Sequence, residues 1–181
     1  MTDVLARLVL WESPSLDGQA QLPILNYLAE QLRALDFLPR LLESPRCGAH
    51  LLARPRRRTK GRGQLLLGHC DTVWPHGTLK TMPLCIEAGK LKGPGAYDMK
   101  GGLVQILFAL KALSQLGLQP ANDPYVFVNA DEEVGSFESG RWLRRLAPLM
   151  SRCLVAEPSL GPEGLLKTAR KGVASYTVTI T

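Results

Sequence analysis

The stretch Met99–Leu118 limits the possible folds more than any other, because Leu103, Val104, Ile106, Leu107, Phe108, Leu110 and Leu113 leave it without a wide polar face. A helix that is apolar on most sides has to be buried, here against a sheet. Gly117, with Pro120 just beyond, marks its end. The chain also supplies the strands such a sheet needs: short apolar runs at 38–42, 49–53, 64–69, 125–129 and 152–156, bounded by Pro, Gly or polar loop residues. Between Ser15 and Phe37, the residues Leu22, Ile24, Leu25, Leu28, Leu32 and Leu35 recur at helical spacing, with Asp17 near the start. A further helix is expected over Phe137–Met150. Strand and helix alternate, which predicts an α/β domain with a mixed, largely parallel sheet and helices on both faces.

With 181 residues, the chain can form one domain, or one domain and the beginning of a second, but not two complete domains of average size. The net charge of +6 comes from six basic residues, Arg54, Arg56, Arg57, Arg58, Lys60 and Arg62, and the remainder is neutral. That segment contains Pro55, Gly61 and Gly63 and no aromatic residue, so it reads as a solvated strand-to-strand loop rather than a nucleic-acid patch. Cys47, Cys70, Cys85 and Cys153 include no C-x-x-C pair, and reduced thiols are expected. The N-terminal apolar run is too short for a signal peptide, and no later run spans a membrane, which favours a cytoplasmic protein. In Ala174–Thr181, Ala174, Tyr176, Val178 and Ile180 alternate with Ser and Thr, the pattern of a strand with one wet face. The chain stops inside that pattern, and a module cut at its opening is expected there.

Four clusters carry the chemistry, each where a strand runs out into a loop. In G-H-C-D-T-V, His69 and Asp71 lie two residues apart and project to one face of an extended chain, which suits a ligating imidazole with a carboxylate behind it. In G-P-G-A-Y-D-M-K-G-G, four glycines and a proline specify a tight turn that places Asp98 before the buried helix. Neither phosphate-loop spacing is present. In N-A-D-E-E-V-G-S, Asp131, Glu132 and Glu133 crowd a strand end, which is costly unless cations neutralise them. In A-E-P-S, Glu157 ends another strand, and Pro158 prevents its continuation. One imidazole with several carboxylates suits divalent metals, zinc first, with cobalt or manganese as substitutes. The carboxyl ends of strands in an open α/β sheet are where a ligand site belongs.

In this order, the four motifs resemble those of the co-catalytic zinc metallopeptidases that include glutamate carboxypeptidase (carboxypeptidase G), acetylornithine deacetylase and succinyl-diaminopimelate desuccinylase. The resemblance runs from S-P-S-L-D near the start to R-K-G-V-A-S-Y near the end. It implies two zinc ions, with His69 and Glu157 on one, Glu133 on the other and Asp98 bridging both. It also implies that Asp71 orients His69, and that Glu132 is the general base, taking a proton from the attacking water and delivering it to the leaving amine. A non-proline cis peptide after Asp98 is implied as well. Residues 1–168 then correspond to the N-terminal part of the catalytic domain, and 169–181 to the start of a lid or dimerisation domain, entered through Arg170 and Lys171. The implied reaction is hydrolysis of an amide in a small peptide or N-acyl amino acid, by a homodimer in the full-length form. W-P-x-G-T after the first motif leans toward the glutamate-carboxypeptidase branch over the deacylases.

The departures matter equally. The family's second zinc takes a late His, and its substrate-binding Arg and oxyanion-stabilising His come from the lid; none of these is in the sequence. His50 and His76 match neither role, so the Glu133 site is one protein ligand short. A non-catalytic metal-binding fragment therefore stays open as a second reading, and a nucleic-acid contact through the basic loop as a third. Trp11, Trp142 and Tyr125 read as core or helix-face residues, and Cys70 as buried rather than ligating.

Overall fold

The computed structural model describes residues 1–59, 61–161, 163–169, 171–172, 174 and 176–180. Among these, helices α1 (Thr2–Leu10) and α2 (Gly18–Ala34) precede strands β1 (Phe37–Ser44), β2 (Gly48–Pro55) and β3 (Gly63–His69). A small hairpin follows, β4 (Cys85–Glu87) and β5 (Lys90–Lys92), and then α3 (Gly101–Gln115), β6 (Pro124–Asn129), α4 (Ser139–Leu146) and β7 (Met150–Val155). Asp17 caps α2 by accepting the Ala20 N–H at 3.1 Å, the role its position before the periodic leucines suggests.

The main sheet has the order β1-β2-β6-β3-β7. β3 lies between β6 and β7 and is parallel to both, while β1–β2 and β2–β6 are antiparallel. The sheet is thus mixed, with its parallel half on the side that carries the motifs. Alternate residues sort the two faces. Leu51, Leu66, Val126 and Val128 pack with Ile24, Leu25 and Leu28 of α2 and Leu103, Val104 and Leu107 of α3. On the opposite face, Leu65 and Phe127 pack with Leu146 at the end of α4 and with Met150. Helices cover both faces, and α3 is the buried helix its composition demands.

Two elements were not expected from the sequence. Helix α1 has only nine residues and buries Leu8 and Val9 alone, too short a pattern to stand out before its packing partners are known. The β4–β5 hairpin buries no residue, so no apolar alternation announces it. Of the strand expected over Ala174–Thr181, Ser175 and Thr181 lie outside the described residues, as do Val173 and Arg170, and the described Ala174 and 176–180 are assigned to no helix or strand. Alternation prepares a strand, but a ladder partner is needed to hold it.

Candidate metal centre

Parallel pairing brings the motifs together. His69 is in register with Asn129 and Leu67 with Val155, so β3, β6 and β7 release His69, the Asp131–Glu133 loop and Glu157 at one end of the sheet. Asp98 arrives from the turn Ala96–Lys100 before α3. Two glycines allow this approach. A Cβ at Gly102 would collide with the Ala156 carbonyl, and one at Gly95, where φ is 68°, would reach the Thr72 side chain. Only glycine lets the start of α3 sit against the end of β7. The Asp98–Met99 peptide bond is cis, as the resemblance implies.

At the centre is His69, 1% exposed. Its Nε2 lies 3.2 Å from Asp98 Oδ1 and 3.5 Å from Glu157 Oε1. Its Nδ1 lies 2.9 Å from the Asp71 carbonyl oxygen and 3.4 Å from Asp71 Oδ1. One ring nitrogen is thus anchored to Asp71, while the other faces two carboxylates, the disposition of a ligating imidazole. Glu133 can bring a carboxylate oxygen within 4.8 Å of His69 and Asp98, and Glu132 can do so with His69 and Glu157.

Asp71 is fully buried. Its carboxylate accepts from the Ser15 hydroxyl at 2.8 Å and from the backbone N–H groups of Glu132 and Glu133 at 3.2 and 3.1 Å. It therefore fixes the acidic loop as well as the imidazole. Nothing in the sequence pairs Ser15 with a residue 56 positions on; the S-P-S-L-D segment is only the place where the family resemblance begins.

The electrostatics are those of a site short of positive charge. Burial raises the Glu132 and Glu133 carboxyls above the ordinary range, and their negative neighbours add to the effect. Burial likewise raises Asp98, with Glu157 reinforcing the shift. Burial opposes a charged His69, yet its contacts with Asp71 and Glu157 outweigh this and lift the imidazole to about 11. Asp71 and Glu157 stay below the usual range, Asp71 because its donors overcome burial and Glu157 chiefly through its hydrogen bond to His69. Without a cation, the cluster retains protons in its place. The donor set of one imidazole and converging carboxylates fits a divalent ion.

The other two histidines are engaged elsewhere. His76 Nε2 is 2.7 Å from Asp17 Oδ2 at the α2 cap, and His50 is buried on β2. Cys70 is fully buried, with burial pushing its thiol pKa well up, and it is in none of the ligand groups. Trp11 stacks at a tilt on Tyr27, and Trp142 and Tyr125 line the α4 side of the core.

An α/β sheet with a buried imidazole and convergent carboxylates at the carboxyl ends of its parallel strands defines a candidate metal-site protein. The chain belongs to peptidase family M20/M25/M40, whose model matches residues 65–174. It is 33% identical to carboxypeptidase G2 of Pseudomonas sp. (strain RS-16) over 180 residues, which is 98% of this chain and 43% of that protein. It is 31% identical to succinyl-diaminopimelate desuccinylase of Methylobacterium sp. (strain 4-46) over 131 residues, 64% of this chain and 32% of the relative. Among solved structures, the M20 family metallo-carboxypeptidase Sso-CP2 from Sulfolobus solfataricus superposes with a TM-score of 0.74 at 21% identity, covering 90% of this chain and 38% of that one. Human carnosine dipeptidase 1 gives a TM-score of 0.72 at 20% identity over 88% of this chain and 38% of its own. These two likenesses establish the fold. The chain spans less than half the length of each of these relatives.

Proposed function

We propose that this chain is the metal-binding portion of a zinc-dependent hydrolase acting on amide bonds in peptides or N-acyl amino acids. The observation that carries the reading is the His69 ring, anchored through Nδ1 at Asp71 and facing Asp98 and Glu157 through Nε2. His69 and Glu157 would hold one zinc and Glu133 the other, with Asp98 available to both. When bound, such ions polarise a carbonyl and make water a nucleophile at neutral pH. Asp71 keeps His69 in the Nδ1–H tautomer and holds the backbone of Glu132 and Glu133. Glu132, whose burial makes it a better base than an ordinary carboxylate, takes the proton from the attacking water and passes it to the departing amine. The greater extent of the match to carboxypeptidase G2 favours peptide-like substrates over succinylated ones. Free Cys47, Cys70, Cys85 and Cys153 support a reducing compartment, the cytoplasm.

One observation favours a narrower role for the chain on its own. Neither His50 nor His76 is available to the Glu133 site, so among the described residues the second zinc would have no imidazole of its own. Calorimetric zinc titration of the 181-residue chain should give one tight site, lost in His69→Ala, and a much weaker second site. Hydrolysis of acyl-glutamate and N-acetylornithine should appear in a full-length protein carrying this segment and vanish in Glu132→Gln. No metal-dependent turnover in that full-length protein would refute the enzymatic reading, and two equally tight zincs in the short chain would refute the narrower one.

A further inference from the structure

Beneath the acidic loop lies a second cluster, in which Cys47, His50 and Asp131 are all buried and bring Sγ, Nε2 and a carboxylate oxygen within 4.8 Å of one another. The residue types suggest a metal site, but the hydrogen bonds argue against one. Ala130 donates its backbone N–H to His50 Nδ1 at 3.2 Å. An Nδ1 that accepts this bond carries no proton, so the ring's proton sits on Nε2, and burial favours the neutral ring although the carboxylates of Asp131, Glu138 and Asp71 oppose it. A metal on Nε2 would need the proton on Nδ1, where it would face the Ala130 N–H, donor against donor. Nε2–H instead points into the cluster, 3.8 Å from Cys47 Sγ, whose thiol donates to Ser44 Oγ at 3.0 Å.

The bond reaches the loop at a sensitive place. β2 pairs with β6 only as far as Leu51↔Val128, and Ala130, just past the ladder, finds its acceptor in a side chain. The next residue, Asp131, uses Oδ2 to accept the Glu138 and Ser139 N–H groups at 2.8 and 3.1 Å, while Oδ1 is buried and unpartnered. Packing does little to hold this loop. Phe137 is 74% exposed, and a hollow of about 410 Å³ separates Val134 and Phe137 from Leu16. Polar ties must therefore set where Glu132 and Glu133 sit.

We infer that His50 is a positioning residue for the Glu132–Glu133 loop: its ring accepts the Ala130 N–H while Asp71 accepts those of Glu132 and Glu133. The role of the two glutamates rests on the function proposed above; the tie itself does not.

Long-range proton–nitrogen NMR of the wild-type chain tests the tautomer, with Nδ1 bare and Nε2 protonated expected. An Nδ1–H tautomer, or a zinc titration that perturbs the His50 ring and loses one equivalent in Cys47→Ala, would overturn the inference in favour of a metal site. Amide exchange tests the positioning. In His50→Phe, which lacks the acceptor, the Glu132 and Glu133 amides should exchange at least about 10-fold faster, and His50→Asn, which restores an acceptor, should recover most of this. Wild-type exchange in folded His50→Phe would overturn the inference. Cobalt(II) absorption supplies the link to the site: His50→Phe should weaken cobalt binding by about 10-fold, the lower end of the range for outer-shell partners, and change the spectrum. An unaltered affinity and spectrum would sever that link. If the wild-type chain binds no cobalt at all, the functional proposal fails, while the exchange result still decides the tie.

Discussion

β3 and β7 are neighbouring parallel strands that end at the same site, yet they are built differently. β3 is a central strand, and its terminal His69 and the following Asp71 are buried and hydrogen-bonded on several sides. β7 is an edge strand exposed from Ser151 to Val155, and its Glu157 is part-exposed. The contrast is clearest at Leu66 and Leu154, which are paired across the ladder: one is 9% exposed and the other 52%. One half of the site is therefore held by hydrogen bonds on several sides, while the other is a part-exposed carboxylate.

The largest expected break in this comparison is at Asp71. Asp71→Ala removes the carboxylate that accepts the Ser15 hydroxyl and the Glu132 and Glu133 N–H groups, while His69 Nδ1 keeps the residue-71 carbonyl, and should cost about 3–5 kcal/mol in urea unfolding. Glu157→Gln should cost less than about 1 kcal/mol; equal losses would mean that the two strand ends are equally organised. Next comes the leucine pair. Leu66→Ala should destabilise by about 2–4 kcal/mol, and Leu154→Ala by no more than about 0.5 kcal/mol, by the same measurement. On the function proposed above, zinc ties Glu157 to His69 and should narrow the contrast. At about 100 times its dissociation constant it should add about 2.7 kcal/mol and slow amide exchange at the end of β7, with both effects reversed by a chelator; protection confined to β3 would contradict the shared ligation.

Smaller effects follow. Burial keeps His50 neutral in the fold, whereas the unfolded chain takes up that proton near pH 6.5. The unfolded state then binds more protons, so stability is held above about pH 6.5 and falls as pH drops below it, until the folded ring also titrates. His69, raised to about 11, contributes the opposite slope over this range, so the His50 part is read as the difference between wild-type and His50→Asn unfolding curves from about pH 7.5 to 5.5, with wild type losing more stability, relative to the variant, as pH falls. Last, changing Arg56, Arg57 and Arg58 to Ala should leave nucleic-acid affinity unchanged in a mobility-shift assay. Arg56 and Arg58 already contact Asp36 and Tyr125 of their own chain.

Much of this was legible in the sequence because it is local. Four motifs at strand ends, a glycine-rich turn before an apolar helix and an imidazole two residues from a carboxylate are short-range patterns with a physical meaning. The first helix was not legible, because nine residues with two buried positions resemble any amphipathic stretch. Nor were Ser15 and His50, since a hydroxyl and an imidazole acquire their partners only from segments 56 and 80 residues away.

The sequence by itself determined which residues are candidates for the chemistry and which helix must be buried, because side-chain type and local periodicity are properties of the chain alone. Only the tertiary structure decided that β3 pairs with a parallel strand on each side, that Asp71 serves the acidic loop as well as the imidazole, and that the Ala130 N–H finds its acceptor in His50. Each of these depends on which groups distant in sequence come within hydrogen-bonding distance, and strand order rather than local pattern settles that.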